Sequence, residues 1–357
     1  MSKIGDFLAS EKKITDDALR WFFGEEKKKA GLVDDELVYL METIEKMMLR
    51  GGKRARALLV RLAYGLVEGA ETEKIVKASL YVELMHLYIL VHDDITDRDL
   101  KRYGGETLEV LYGKRFMRLY GKENEHFGQS VAMVAGDLIQ TMAHSVLVDS
   151  GFEAELIVEI ERVMAQTLKE VVTGWYLHQL QNHQSLGKAR EERYLAGMKL
   201  VSASYSFEAP LMIGLVLGRA DNKTKKVIKN YAYHVGMAFQ MQDDILGVFG
   251  KTKETGKPVG NDIREGKKTL LVLRAYQEIG RKEKEFMAET VGKEMSDKSL
   301  KKMQQLIRES GSLEYSQNMA RKHIKQAKLE LENLERVEKK RLESFVGLAD
   351  FVLERKY

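Results

Sequence analysis

Apolar residues recur along most of this chain with the 3.6-residue period of an α-helix, and few residues interrupt the pattern. Only two prolines, Pro210 and Pro258, occur among 357 residues. We find no alternating run typical of a β-strand, no repeat of fixed period and no low-complexity linker. The sequence therefore predicts an all-α helical bundle that forms a single domain over residues 1–357.

The individual helices follow from the same period. Helices are predicted over residues 14–23, 33–49, 54–67, 71–97, 109–119, 127–148, 153–183, 189–217, 223–249 and most of 267–357. Two polar, glycine-containing stretches, residues 98–128 and 251–266, are predicted to be mainly loops.

Composition excludes several classes of protein. The chain has no cysteine, which excludes disulfides and thiolate metal sites. Its formal net charge of +4 is nearly balanced and gives no case for a nucleic-acid partner. The longest uninterrupted apolar run, Ala209 to Leu217, is too short to span a bilayer, and no N-terminal stretch resembles a signal peptide. We expect a cytoplasmic protein without a stable membrane span.

The first candidate site lies at the end of the predicted helix over residues 71–97. At about 100° per residue, Asp93, Asp97 and Asp94 fall within about 100° of arc and share one face. Three carboxylates at a helix C-terminus repel one another unless a cation binds there. Mg²⁺ is the obvious cation, because it accepts one or two protein carboxylates and completes its shell with water and phosphate oxygens. The alternative is a solvated acidic helix end, but the apolar sequence before it predicts a buried helix whose end opens into a cavity.

A second acidic helix end carries Gln240, Asp243 and Asp244. Each acidic end precedes a loop rich in glycine and basic residues, so we expect the two ends to form opposite walls of one site. Lys53 and Arg56 lie at another predicted helix start, where backbone N–H groups also favour an anion. The alternative to anion binding, for each basic cluster taken alone, is a solvated surface with no ligand. Together, carboxylates for metal and separate cations suit a diphosphate substrate.

Four stretches, residues 51–56, 83–105, 238–247 and 256–269, resemble in order and spacing the motifs of the trans-prenyl diphosphate synthases, the farnesyl and geranylgeranyl diphosphate synthase family. The DDILG form of the second acidic motif and the loop after it look most like archaeal members. The resemblance implies an all-α prenyl synthase fold around a central cavity, with a homodimer as the usual assembly. It also implies Mg²⁺-dependent condensation of isopentenyl diphosphate with an allylic diphosphate.

The resemblance also implies roles for individual residues. The implied metal ligands are Asp93, Asp94, Asp97, Asp243 and Asp262. The implied substrate-binding residues are Lys53, Arg56 and His86 for isopentenyl diphosphate, and Arg102, Ser202, Gln240, Lys257 and Lys267 for the rest of the site. The implied catalytic set is Asp93, Asp94, Asp97, Arg102, Gln240, Asp243 and Lys257.

Product length in this family depends on what lies beneath the first acidic motif. Tyr88 holds the place of a bulky aromatic residue that acts as a floor, and Ile89 lies one turn below Asp93 on the same face. We therefore expect a short-chain product, C20 first and C15 second. The alternative is that Tyr88 is an ordinary core residue.

The chain departs from the family pattern at four positions. Tyr103 stands in place of a second arginine, Trp175 in place of a glutamine, His178 in place of an aspartate, and Val201 in place of a lysine. Loss of the acid at 178 and the cation at 201 leaves the local charge nearly neutral, so we hypothesise that these two changes compensate. Two other functions remain open: a non-catalytic or modulating subunit of a hetero-oligomeric prenyl synthase, or a prenyl-derived terpene synthase.

Overall fold

The computed structural model describes residues 3–67, 72–121, 125–250, 259–334 and 337–354. Within these ranges the chain is almost entirely helical, which confirms the predicted all-α class. The chain separates into two compact units, residues 1–158 and residues 159–357. The prediction of one domain over residues 1–357 stays a prediction.

The first unit contains six helices and the start of a seventh within its described residues. Their bounds are α1 Lys3–Gly31, α2 Asp35–Arg50, α3 Ala55–Val67, α4 Glu73–Asp97, α5 Leu108–Tyr120, α6 Glu125–Val148 and the beginning of α7, Ala154–Asn182. The structure lengthens the first predicted helix, residues 14–23, in both directions. The ends of α1 are rich in lysine and glutamate, which favour helices but carry no apolar period.

Helix α4 carries the first acidic motif and is buried over most of its length. Leu80, Leu84 and Val91 are at most 1% exposed, as the apolar pattern predicted. Helix α6 packs closely on α4 through small residues such as Ala135 and Gly136, and α6 also packs on α5. This packing fixes the end of α4, and therefore the acidic residues, against a rigid neighbour.

A short β-hairpin corrects the expectation that the chain contains no strand. Strand β1, Lys101–Arg102, pairs antiparallel with β2, Gly105–Glu106. The turn residues Tyr103 and Gly104 both have positive φ, 51° and 75°, which matches the right-handed twist of two adjacent strands. Two-residue strands are too short to show alternation, so the sequence pattern missed them.

The second unit contains the rest of α7 and the helices that follow. Their bounds are α8 Glu191–Met198, a π-helical segment Lys199–Glu208, α9 Ala209–Leu217, α10 Asn222–Phe249, α11 Asn261–Arg264, α12 Leu270–Glu278, α13 Arg281–Thr290, α14 Asp297–Glu309, α15 Ser312–Leu331 and α16 Lys339–Glu354. A short 3₁₀ turn, Leu186–Lys188, precedes α8. The predicted polar loop over residues 251–266 therefore contains one helical turn, α11.

Helix α10 carries the second acidic motif and packs against both α15 and the π-helical segment. Gly236 permits the second contact, because a Cβ atom there would lie 2.5 Å from the backbone of Ala203. The end of α10 joins a core that includes Ile245, Val248 and Ile263. The second acidic motif, like the first, therefore ends a helix held by packing.

Among the described residues, three helical stretches are long and apolar enough to cross a membrane: Glu73–Asp97, Glu125–Val148 and the continuous Glu191–Leu217. The sequence predicted none, because its longest uninterrupted apolar run, Ala209 to Leu217, is too short to span a bilayer. In the fold, 61%, 44% and 72% of their apolar windows are buried inside the protein. These stretches serve as bundle helices.

Candidate functional site

The first acidic motif ends α4, and Arg102 of the hairpin binds it. The Arg102 guanidinium donates hydrogen bonds to Asp94, to Asp93 at 3.5 Å and to Asp99 at 3.3 Å. Arg98 closes the helix in the left-handed conformation, with φ 56°. Asp97, the last residue of α4, remains partly exposed. One cation of the chain thus already neutralises part of this acidic helix end.

Asp93 and Asp94 are adjacent in sequence but lie in different environments. The side chain of Asp94 is 3% exposed, whereas that of Asp93 is 35% exposed. Burial raises the pKa of Asp94 to about 7, although the Arg102 charge and hydrogen bond oppose the shift. Within the residues that the structure covers, Oδ2 of Asp94 has no hydrogen-bond partner. A buried carboxylate oxygen without a partner fits a site that accepts a further cation.

The hairpin that carries Arg102 is fastened to the end of α2. Arg50 donates hydrogen bonds to the carbonyl oxygens of Arg102 at 3.4 Å and of Glu106 at 2.9 Å. The Tyr103 ring lies on the backbone of Gly51, where an added Cβ atom would be 2.6 Å from the ring carbon Cδ1. The tyrosine that replaces the family's second arginine therefore contributes packing, beside the loop that holds Lys53.

The predicted cations lie on neighbouring elements of the first unit. Lys53 is exposed and Arg56 is half-buried near the start of α3. Burial lowers the pKa of His86 well below its usual value, and the charges of Arg56, Arg102 and Arg54 lower it further. The structure thus brings Arg56, His86 and Arg102 into one positively charged neighbourhood with a neutral imidazole.

Arg54 and Glu83 are two further polar residues that the sequence analysis did not assign. Arg54 is 5% exposed and pairs with Asp16 at 2.7 Å and with Glu83 at 3.9 Å. Glu83 also accepts a hydrogen bond from the backbone N–H of Ala57, 3.1 Å away, near the start of α3. A carboxylate of the chain therefore takes the N–H of Ala57, and substrate binding by the other N–H groups of this helix start stays a prediction. The sequence signal that could have identified Glu83 as a site residue is its position, a single glutamate within an apolar helical stretch.

Tyr88 lies one turn before His92 on α4 and packs against its ring, with centroids 4.8 Å apart. His92 in turn lies on Gly136 of α6, where an added Cβ atom would be 2.6 Å from Nδ1. Burial raises the pKa of Tyr88, and nearby Asp137 of α6 raises it further. Tyr88 and Ile89 are only partly buried, unlike the fully buried Met85 below them. This position fits a floor, and the role itself stays a prediction.

The second acidic motif repeats the pairing of one exposed and one buried aspartate. Asp243 is exposed and Asp244 is 3% exposed. The Tyr194 hydroxyl donates to Oδ2 of Asp244 at 2.5 Å, and Nε2 of Gln240 donates to Oδ1 at 2.9 Å. Oε1 of Gln240 accepts from the Ser202 hydroxyl at 2.6 Å. Predicted residues Ser202 and Gln240 thus lie in one hydrogen-bonded chain with Asp244.

The protonation of Asp244 reflects its burial. Burial raises its pKa to about 8, and the charges of Asp262 and Asp243 raise it, whereas the hydrogen bonds from Tyr194 and Gln240 lower it. Burial and the charge of Asp244 also raise the pKa of Tyr194 well above its usual value. Tyr194 was missed by sequence analysis, since a tyrosine within a helix has no signal that separates it from core.

Asp262 lies against α10 one turn beyond Asp243, at Gly247. A Cβ atom at position 247 would lie 2.8 Å from Cγ of Asp262 and closer still to Oδ2. Lys267 binds Oδ1 of Asp262 at 3.0 Å and Glu265 at 2.6 Å. These carboxylates raise the pKa of Lys267 against the opposing effect of burial. Glycine at position 247 therefore allows Asp262 to lie close to the second acidic motif. Lys267 is paired with the carboxylates of Asp262 and Glu265.

The remaining departures from the family pattern lie on α7 and the helix opposite it. Trp175 is 37% exposed. His178 stacks on Tyr194, with centroids 5.3 Å apart. One turn earlier, a Cβ atom at Gly174 would lie 2.8 Å from Cγ2 of Val201. His178 and Val201 thus occupy the same helix contact, as the hypothesis of compensating changes requires.

Within the part of the chain that the structure describes, no group of three or more His, Cys, Asp or Glu side chains is arranged to hold a metal ion. Lys257, predicted to bind and act on substrate, lies outside the described residues.

Comparisons with known proteins agree with this geometry. The sequence model of the polyprenyl synthetase family matches residues 38–309. The chain is similar to geranylfarnesyl diphosphate synthase of Aeropyrum pernix, with 32% identity over 85% of this chain and 91% of that protein. It is also similar to geranylgeranyl diphosphate synthase of Saccharolobus solfataricus, with 29% identity over 89% of this chain and 90% of that protein.

A solved structure is similar over nearly the full length. It is geranylgeranyl pyrophosphate synthase of Corynebacterium glutamicum, complexed with isoprenyl diphosphate and magnesium. The TM-score is 0.90 at 26% identity, with 98% of this chain and 99% of that chain covered.

Proposed function

Because this chain belongs to the polyprenyl synthetase family, we propose that it condenses isopentenyl diphosphate with an allylic diphosphate and releases a short-chain prenyl diphosphate. It is a prenyltransferase. The product we propose is geranylgeranyl diphosphate first and farnesyl diphosphate second. The comparisons give no support to a modulating subunit or a terpene synthase.

One observation carries the proposal: in each unit an apolar helix carries two adjacent aspartates near its end, one buried and the other more accessible. Asp93 and Asp243 are the more exposed members, and Asp94 and Asp244 are each fixed by a hydrogen-bond donor. Fixed acids keep each exposed carboxylate oriented, which favours metal binding. We propose that both motifs bind Mg²⁺ on the same allylic diphosphate, with Asp97 and Asp262 assisting.

The residues of the chain would divide the reaction between them. Mg²⁺, when bound, would stabilise negative charge on the departing diphosphate. Arg102 would neutralise the same group, together with Lys257. Lys53, Arg56 and His86 would bind the diphosphate of isopentenyl diphosphate and orient its double bond toward the allylic carbon. Proton loss to the released diphosphate would complete the condensation.

Two features support His86 as a neutral hydrogen-bonding residue within this cationic group. Its lowered pKa keeps the imidazole uncharged at neutral pH, so it adds no charge to a neighbourhood that contains Arg56 and Arg102. A neutral imidazole still donates one hydrogen bond to a phosphate oxygen. The arginine charges would attract the diphosphate, and the hydrogen bond from His86 would orient it.

The assembly and location are further parts of the proposal. Helix α6 exposes apolar side chains, including Met133 at 49% and Val134 at 65%. Neighbouring exposed apolar side chains of this kind suit an interface, so we propose a homodimer. The location that we propose is the cytoplasm. Light scattering of the purified protein measures the assembly directly.

Product analysis tests the function. The purified chain is incubated with Mg²⁺, isopentenyl diphosphate and a C5, C10 or C15 allylic diphosphate, and the products are sized after dephosphorylation. We expect C20 or C15 products from the wild type. Asp243→Asn should lower turnover by more than about 100-fold, whereas Asp149→Asn, a change at an exposed position, should leave it unchanged. Absence of any prenyl product from the wild type would refute the proposal.

A further inference from the structure

Tyr194 is a buried residue that contacts the second acidic motif from a neighbouring helix. It belongs to α8, is 7% exposed, and its hydroxyl reaches Oδ2 of Asp244 on α10 at 2.5 Å. The other oxygen of Asp244 accepts from Gln240 at 2.9 Å. Both oxygens of this carboxylate are therefore engaged by donors of the chain, while the adjacent Asp243 is exposed.

The ring of Tyr194 is itself held by a residue that departs from the family pattern. His178 stacks on it at an interplanar angle of 21°, with centroids 5.3 Å apart. Nε2 of His178 lies 3.4 Å from the carbonyl oxygen of Tyr194. Gly197 makes room for this imidazole, because a Cβ atom there would lie 2.5 Å from Cδ2 of His178. An aspartate at position 178 offers no ring for this stack.

We propose that Tyr194 is a positioning residue for the second acidic motif and that His178 fixes Tyr194 in this chain. The hydroxyl holds Asp244, and Asp244 fixes the rotation of the last turns of α10, which carry Asp243. The proposal rests on the function proposed above, since it takes Asp243 as a metal ligand. Tyr194 contacts neither the metal nor the substrate, and it acts through Asp244 on the orientation of Asp243, the proposed metal ligand.

Tyr194→Phe tests the hydroxyl alone, because the ring that stacks on His178 remains. Calorimetric titration of Mg²⁺ into the protein with inorganic diphosphate measures metal affinity without turnover. We expect the apparent affinity for Mg²⁺ to fall about tenfold, the loss typical of a hydrogen bond to a charged group. The Mg²⁺ concentration that gives half-maximal product formation should rise by the same factor.

Tyr231→Phe is the matched control. Tyr231 is fully buried on α10, and its hydroxyl donates to the carbonyl oxygen of Phe345 at 2.7 Å, so the variant also loses one buried hydrogen bond. We expect its Mg²⁺ affinity to equal that of the wild type. Unchanged affinity in Tyr194→Phe overturns the proposal, and so does an equal loss in Tyr231→Phe.

A second pair of variants tests the stacking residue. His178→Phe keeps an aromatic ring beside Tyr194 and should retain Mg²⁺ affinity, whereas His178→Ala should lose it as Tyr194→Phe does. Equal affinities in these two variants overturn the role of His178. A wild type that binds Mg²⁺ and diphosphate but forms no prenyl product refutes the proposed function and leaves the positioning role intact.

Discussion

Gly247 offers a direct test of how closely Asp262 must approach the second acidic motif. In Gly247→Ala the new methyl carbon would lie 2.8 Å from Cγ of Asp262. Non-bonded carbon atoms rest about 3.5 to 4.0 Å apart, so the carboxyl group must retreat by about 1 Å. That movement pulls on the 3.0 Å contact between Asp262 and Lys267 and on the 3.0 Å hydrogen bond from the N–H of Gly260 to the carbonyl oxygen of Gly247.

The expected cost has two parts. Overpacking of this kind lowers the free energy of unfolding by about 1 to 3 kcal/mol. Displacement of a functional carboxylate by about 1 Å lowers kcat/KM by about 100-fold. Thermal unfolding measures the first part, and steady-state product formation over a range of Mg²⁺ concentrations measures the second.

Gly24→Ala is the matched control for this substitution. Gly24 lies within α1, and an added Cβ atom there meets nothing within 4 Å. Alanine should therefore raise the free energy of unfolding by up to about 1 kcal/mol, its advantage in helix propensity, and leave turnover unchanged. If Gly247→Ala keeps the turnover and Mg²⁺ dependence of Gly24→Ala, the close approach of Asp262 has no functional role.

Three further predictions concern product length, the family departures and pH. Tyr88→Ala should lengthen the product, because it removes the ring below the first acidic motif, and product sizing with Tyr88→Phe as the ring-retaining control measures it. The double variant His178→Asp, Val201→Lys should have higher turnover than the sum of the effects of its single changes, because each added charge balances the other. A double-mutant cycle of kcat/KM measures this coupling. Burial and the charges of His234 and Lys322 lower the pKa of His323 to about 4. As the pH falls below about 6.5, His323 takes up a proton in the unfolded chain but not in the folded protein, which favours unfolding. The free energy of unfolding should therefore fall by about 2 kcal/mol between pH 6.5 and 4, after allowance for the partial exposure of His323. Denaturant unfolding at both pH values should show this loss in the wild type and a smaller one in His323→Gln.

Each of these three predictions has a contrary outcome. Identical products from Tyr88→Ala and Tyr88→Phe would make Tyr88 an ordinary core residue. Strict additivity at positions 178 and 201 would remove the idea of compensating changes. An equal loss of stability on acidification in His323→Gln and wild type would assign the pH dependence to other groups.

The helical framework was predictable from the sequence because it depends on local periodicity. Helix α4 ends at Asp97 and helix α10 ends at Phe249, as predicted. The two-residue strands beside Tyr103 were missed because they have no period to detect. Their single local signal was a turn dipeptide, Tyr103-Gly104, within a polar stretch.

The difference in burial between the two aspartates of each acidic motif was not predictable from the sequence. Spacing placed Asp93 and Asp94 on one face, but their side chains are 35% and 3% exposed, and both are bound by Arg102 from a separate hairpin. The same holds for Asp244, whose partner Tyr194 comes from another helix. Long-range contacts of this kind carry no local pattern. The sequence therefore identified the acids and Arg102 as site residues, but not which carboxylates Arg102 and Tyr194 bind.

The measurement closest to the central claim is a crystal structure of the protein with Mn²⁺ and an allylic diphosphate analogue, read by anomalous scattering. We expect metal peaks at bonding distance from Asp93, Asp97 and Asp243, with every metal also bound to oxygens of a single diphosphate. Metal on only one of the two acidic motifs, or a diphosphate bound away from both, would contradict it.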